Sequence, residues 1–277
     1  MAQTRTTVVS ALFALLLVVI GAVFAAPFVW MVLTSLQSLQ QVFHFPPSLL
    51  PHVWEWINYP RALTTIPLRT YFRNSVTIAA LSTVGTLFCA STVGYSLSLV
   101  RWPGRTALLW TVLATMMLPF AVKMIPLFLL YMKLHWVGGF APLIVPSYID
   151  VPYFIFLMRQ FYLTLPRELA EAARVDGAGE LRIFWSVILP LTRPALATVA
   201  IFSFLFHWND FMGPLIYLTH PRTFTLALGL QAFQNTHSTQ WTYLMAAATV
   251  FTLPVILLFA FGQRYFTQGI AITGIKG

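Results

Sequence analysis

The chain has 277 residues, 58% hydrophobic and 8% charged, with a formal net charge of +9 and a mean hydropathy of +0.79. Soluble domains carry roughly 25% charged residues, so this composition excludes an ordinary soluble domain and places the chain in a bilayer. The positive balance does not point to nucleic acid, because the basic residues stand singly between apolar runs instead of clustering on a solvated face.

A membrane-crossing helix needs about 20 predominantly apolar residues. The sequence offers six such runs, at 8–33, 75–100, 106–130, 140–158, 194–218 and 242–262, which predicts an all-α polytopic membrane protein with six transmembrane helices. The first run follows Arg5 and has Ala25-Ala26 as a rough signal-cleavage site. Its charge-free stretch continues from Thr6 past Val32, longer than the about 7–15 residues of a signal core, so it reads as a retained span. After it, Trp54, Trp56 and Tyr59 fit either an interfacial layer or packing under a loop. Residues 1–74 are thus expected to form a first span with an external segment, and 75–277 a core with a cytoplasmic loop at 160–193. Cys89, the single cysteine, sits in the second run and reads as a small core residue.

With the N-terminus in the cytoplasm, ten basic residues fall inside (Arg5, Arg101, Arg105, Arg159, Arg167, Arg174, Arg182, Arg193, Arg264, Lys276) and five outside (Arg61, Arg69, Arg73, Lys133, Arg222), with Lys123 inside the membrane. That bias places both termini on the cytoplasmic side.

Between the fourth and fifth runs lies the most charged segment. Four of the seven acidic residues, Glu168, Glu171, Asp176 and Glu180, fall within thirteen positions of it. Pro166 suits a helix start and Glu168 complements the positive end of the helix dipole. Gly177 provides a stop that tolerates a left-handed backbone. Leu181, Phe184, Trp185 and Ile188 then recur as an amphipathic stripe, ended by Pro190 and Pro194. The pattern predicts two short helices around a Gly bend, with Ala170, Ala172 and Ala173 leaving room for another surface; on pattern alone it is either a docking element or a connector.

The run Glu171-Ala172-Ala173-Arg174-Val175-Asp176-Gly177-Ala178, followed by Phe184, Ile188-Leu189-Pro190 and Pro194, resembles the EAA loop of ABC-importer permease subunits. Arg73-Asn74-Ser75, Met117-Leu118-Pro119, Ile125-Pro126-Leu127, Trp208-Asn209-Asp210-Phe211 and the ending Gln263-Arg264-Tyr265-Phe266 through Lys276-Gly277 are similar to the maltose-type subfamily. The resemblance implies the type I importer permease fold in a bacterial inner membrane. It also implies a coupling helix seated in a cytoplasmic ATPase, with Glu168, Glu171, Ala172, Ala173, Asp176, Gly177, Ala178 and Pro190 as the coupling residues. The implied partners are a second permease subunit in a heterodimer, two ATPase subunits that hold ATP and Mg, and an external solute-binding protein. Lys123 departs from the small or polar residue the resemblance leads one to expect between Pro119 and Pro126.

None of the three lysines stands in a Gly-x-x-x-x-Gly-Lys-Ser/Thr loop, so energy is expected from a partner ATPase or an ion gradient, and no cofactor is expected on this chain. A stand-alone secondary transporter should show two symmetric halves, whereas the charged loop occurs once. The six histidines show no His-x-x-x-His spacing, and no Gly-x-Ser-x-Gly elbow is present, so neither a metal site nor a hydrolase is expected.

Lys123, Asp150 and Asp210 fall in apolar runs, where an unpaired charge costs at least about 2.5 kcal/mol. They are either structural ion pairs or, with Trp208 and Asn209, a polar lining of a solute path. Between the last two runs, Asn235, His237 and Thr239 read either as a face for the binding protein or as a solvated connector. Resemblance favours a sugar, oligosaccharide or polyol as solute; Lys123 and the basic outer segment leave glycerol phosphate or another anion open.

Overall fold

The computed structural model describes residues 2–234 and 240–274, and every regular element among them is helical. Asn235, His237, Thr239, Lys276 and Gly277 lie outside the described residues. In chain order the helices are α1 (Ala2–Ser35), α2 (Leu39–Val42), α3 (Asn58–Thr65), α4 (Leu68–Ser98), α5 (Arg105–Met116), α6 (Phe120–Lys133), α7 (Ala141–Ile144), α8 (Pro152–Tyr162) and α9 (Arg167–Val175). They continue with α10 (Glu180–Ile183), α11 (Leu189–Leu191), α12 (Arg193–Trp208), α13 (Met212–Tyr217), α14 (Leu226–Leu230) and α15 (Trp241–Gly274).

Four stretches are long and apolar enough to cross a membrane as they stand, at Leu12–Ser35, Leu68–Ser98, Ala141–Tyr162 and Trp241–Gln263. Two bent pairs bring the total to as many as six. The continuous helices expected over 106–130 and 194–218 are both interrupted, the first at one of these bends and the second after Trp208, while the other bent pair joins Glu180–Leu191 to α12. In the first, α5 and α6 meet at 102°. Pro119 has no N–H to extend the ladder and takes φ −59°, ψ 145°, while Met117 and Leu118 bond only three residues back before α6 restarts. In the second, α12 ends at Trp208, and the Asp210 carboxylate accepts the Gly213 N–H at 3.1 Å. A side chain that caps a new helix competes with continuation of the old one.

By internal contacts the chain forms two units. One comprises Met1–Leu68 and Leu230–Leu253. Here Asn58, 5% exposed, donates from Nδ2 to the Ser35 and Gln37 carbonyls, each at 2.9 Å, and the Ser35 and Tyr59 hydroxyls lie 2.8 Å apart. These bonds fold the segment after α1 back onto the end of that helix. Trp54 and Trp56 stack with centroids 6.3 Å apart and stay exposed rather than packing under the loop.

The other unit comprises Arg69–Gly229 and Pro254–Gly277, with α4 as its axis. At about 1.5 Å per residue its 31 residues extend about 46 Å. Small residues let neighbours approach closely: a Cβ on Gly94 would stand 3.0 Å from Met158 Cβ and 3.2 Å from the Arg159 nitrogen, so α4 and α8 touch backbone to backbone there. Around the C-terminal half of α4, Cys89, Tyr95 and Leu97 pack with Met158 and Tyr162 of α8, Ala170 of α9, Ile183, Phe184 and Ile188 beyond it, and Val199 of α12. Around its N-terminal half, Ile78 packs with Tyr131, Leu143 and Tyr217. At that end Asn74 donates to the Arg222 and Phe224 carbonyls, both at 2.9 Å, and Ser75 Oγ accepts the Leu226 N–H at 2.8 Å.

Candidate functional site

The charged loop forms helices in the expected places. α9 begins after Pro166, and Glu168 occupies its first turn. Its end is a Schellman turn: Gly177 N–H bonds to Arg174 O at 3.0 Å and Ala178 N–H to Ala173 O at 2.9 Å, with Gly177 at φ +80°. Glycine is the residue for that position, since an L side chain there meets its own backbone.

α9 presents two unlike faces. Ala170 is 2% exposed and packs with Ala173 and Ala178 against the first core cluster. Opposite, Glu168, Ala172 and Val175, at i, i+4 and i+7, are exposed together with Asp176, and Val175 is 88% exposed. Glu171 is exposed on the flank turned toward the end of α4.

The amphipathic stripe is shifted from its expected phase. Phe184 and Ile188 are buried, but Leu181 is 77% and Trp185 58% exposed, and Ile183 is fully buried in their place. The helix passes through a π-turn at Phe184–Ile188, which adds a residue to one turn and rotates everything after it. Pro190 does not end the helix as expected. It lies exposed within α11, where its missing N–H follows the widened turn, and the break comes at buried Thr192, with an 80° bend into α12.

Two side chains brace the loop to α4. Arg174 makes an ion pair with Glu180 at 2.7 Å across the Gly bend, and Glu180 Oε2 accepts the Tyr95 hydroxyl at 2.7 Å. The Arg174 hydrogen bond holds the Glu180 carboxyl below the ordinary carboxylate range against a smaller opposing effect of burial, and the same bond raises the Arg174 guanidinium. Arg174 also donates to Leu99 O at 3.4 Å, Arg105 to Ser98 O at 3.4 Å and Val100 O at 3.2 Å, and Arg159 to Leu97 O at 3.2 Å. The carbonyls at the C-terminal end of α4 are thus met by guanidinium groups, which favour the negative end of the helix dipole.

Deeper in the spans, Lys123 and Asp150 form an ion pair at 3.7 Å, with side chains 32% and 47% exposed. Asp150 stands just ahead of α8 rather than within a helix. Trp208 is 1% exposed, stacked on Phe204 and edge-on to Phe72, which is a packing role. Asn209 is exposed and donates to Leu205 O at 2.8 Å, ending α12; Asp210 caps the start of α13. His207 lies 3.3 Å from Ser147 Oγ, tying α12 to the interruption before α8.

Residues 86–272 match the model of the family described as binding-protein-dependent transport system inner membrane component. The chain belongs to that family. Among curated relatives, the arabinooligosaccharides transport system permease protein AraQ of Halalkalibacterium halodurans is 39% identical over 75% of this chain and 74% of its own. The sn-glycerol-3-phosphate transport system permease protein UgpE of Yersinia pestis is 31% identical over 83% of this chain and 84% of its own. The crystal structure of a bacterial ABC transporter that imports the acidic polysaccharide alginate contains a chain that superposes with a TM-score of 0.81 at 25% identity, covering 94% of this chain and 97% of that one. The fold is that of an ABC-importer permease subunit, and the chain is a multi-pass membrane protein.

Within this permease, sequence reasoning missed Val175, the Arg174–Glu180–Tyr95 brace and the Lys123–Asp150 pairing. Val175 had a signal, because its spacing from Glu168 and Ala172 is that of one helical face. The brace had none, since Tyr95 lies 85 positions before Glu180.

Proposed function

We propose that this permease subunit forms half of a solute pathway and is driven through α9 by a partner ATPase on the cytoplasmic side. The observation that carries the reading is the two-faced α9, whose Ala170–Ala173 side is built into the core while Glu168, Ala172, Val175 and Asp176 are left exposed along its length. Force on that outer face would reach α4 through Arg174, Glu180 and Tyr95, and α8 and α12 through Phe184 and Ile188. Glu171, Ala173, Gly177, Ala178 and Pro190 set the shape of the lever. ATP and Mg belong to the ATPase pair, and both termini of this chain lie in the cytoplasm.

A second permease subunit, different in sequence, and an external solute-binding protein complete the transporter. An exposed ion pair at membrane depth requires protein or water beside it rather than lipid, which supports a permease partner or a solute path next to Lys123 and Asp150. Interrupted helices at that depth are tolerated only in protein or along a cavity, and the interruptions at 117–119, 149–151 and 209–211 carry Lys123, Asp150 and Asn209 close by. The solute is a sugar or oligosaccharide, in line with the AraQ name at 39% identity. Lys123 and the UgpE relative favour a second reading, a glycerol phosphate or other anionic polyol.

The test is reconstitution of the assembled transporter with its binding protein and a panel of neutral and phosphorylated sugars. Vanadate-sensitive ATP hydrolysis stimulated by a neutral oligosaccharide supports the main reading, and stimulation only by phosphorylated solutes supports the second. Uptake by this chain alone, driven by an ion gradient, would overturn both.

A further inference from the structure

Beside the end of α4 lies a cavity of about 500 Å³, lined by Arg101, Arg105, Arg167 and Arg174 with Glu171 and Glu180. Glu180 is committed to Arg174. That leaves three guanidinium groups facing one carboxylate. Arg101 and Arg167 are exposed and make no hydrogen bond or ion pair with any described residue. Arg105 uses Nη1 on the Ser98 and Val100 carbonyls, which holds its fork at the cavity wall.

The geometry points to a binding site for a phosphate ester, occupied by the headgroup phosphate of an anionic phospholipid. Planar guanidinium forks match phosphate oxygens two at a time, and three of them against the single carboxylate of Glu171 leave a net positive site that an anion relieves. The volume suits a headgroup rather than a bare ion. Position selects the lipid: the cavity sits where α4 ends and α5 begins, and Leu108 and Trp110, in the first turns of α5, are 41% and 66% exposed on a membrane-crossing helix. Basic pockets between spans at the membrane surface are headgroup sites, and tryptophan is the residue of that interface. On α9 the cavity stripe of Arg167, Glu171 and Arg174 lies one position round the helix from the docking stripe of Glu168, Ala172 and Val175, so the site adjoins the proposed ATPase seat without being built from its exposed face.

The test uses the assembled transporter, delipidated and then offered phosphatidylglycerol or phosphatidylcholine of equal chain length, with retained lipid counted by native mass spectrometry. Wild type is expected to retain phosphatidylglycerol preferentially, and R101Q/R167Q to retain roughly tenfold less. The control R69Q/R73Q, which removes two exposed charges at the opposite end of α4, should match wild type. Millimolar inorganic phosphate that fails to displace the lipid assigns the site to headgroups; displacement assigns the same phosphate chemistry to a soluble source. Equal retention of the two lipids by wild type overturns the proposal whether or not the variant assembles. So does an R101Q/R167Q protein that keeps its phosphatidylglycerol, or a cavity filled by a carboxylate of the ATPase.

Discussion

Lys123 near the start of α6 and Asp150 just before α8 meet at 3.7 Å, each beside an interruption in a membrane-crossing segment. A charge left alone at membrane depth costs about 2.5 kcal/mol or more, and the partial exposure of both side chains reduces what the pair recovers. Lys123→Met and Asp150→Asn are each expected to lower the yield of assembled transporter, whereas Lys123→Met/Asp150→Asn should do less harm than the sum. A double-mutant cycle on thermal unfolding should give a coupling of about 1 kcal/mol; additivity would place the two groups in separate roles.

Gly177 at φ +80° has open space around it, with no atom within 4 Å of an added Cβ. The cost of Gly177→Val is therefore a backbone cost of about 1–2 kcal/mol, not a clash. ATPase association is expected to weaken roughly 5–30-fold, with Gly177→Asn milder because asparagine tolerates the left-handed region. Co-purification at graded salt measures this, and an unaffected Val variant would show that the turn does not set the docking face.

Glu180 has a folded-state pKa lowered by its Arg174 hydrogen bond. The stability this contributes is fully present above the unfolded carboxyl value of about 4.3 and is lost as pH falls through the lower folded value. The brace is thus insensitive to pH around neutrality and opens only in acid. Hydrogen exchange at residues 179–183 should rise below about pH 4 in wild type and be raised at all pH values in Glu180→Gln. Equal protection in the two proteins at neutral pH would remove the brace from the account.

Asn74 is 3% exposed and donates to two carbonyls of the 222–224 segment. Asn74→Ala leaves both acceptors short of a donor and should destabilise by about 1–3 kcal/mol in thermal unfolding. Asn74→Asp should be worse, since it turns a carboxylate toward the same two carbonyls.

The sequence made some of this legible and concealed the rest for physical reasons. Gly177 was readable because one residue type serves a left-handed helix end, and Glu168 because a carboxylate suits a helix start. The bend at Pro119 was concealed by uniform hydropathy, which does not register whether an apolar run is straight. The phase of Trp185 was misread because a π-turn changes helical periodicity without changing composition, whereas Leu181, exposed in α10, lies ahead of that turn. Arg174 and Glu180 lie six positions apart, outside the spacing of helical neighbours, and meet only because Gly177 turns the chain. For Trp208 and Asp210 the sequence left a solute lining and a structural role both open; in the fold Trp208 stacks on Phe204 and Asp210 caps α13, contacts that hydropathy does not register.

Whether the exposed face of α9 seats in an ATPase subunit is read out by a photo-crosslinking residue placed at Val175 in the assembled transporter. An adduct with the ATPase is expected, its yield changing between nucleotide-free and ATP-bound states, and none from the same group at Val84, which is exposed midway along α4. An adduct from Val175 with lipid alone, or with no partner in either state, would contradict it.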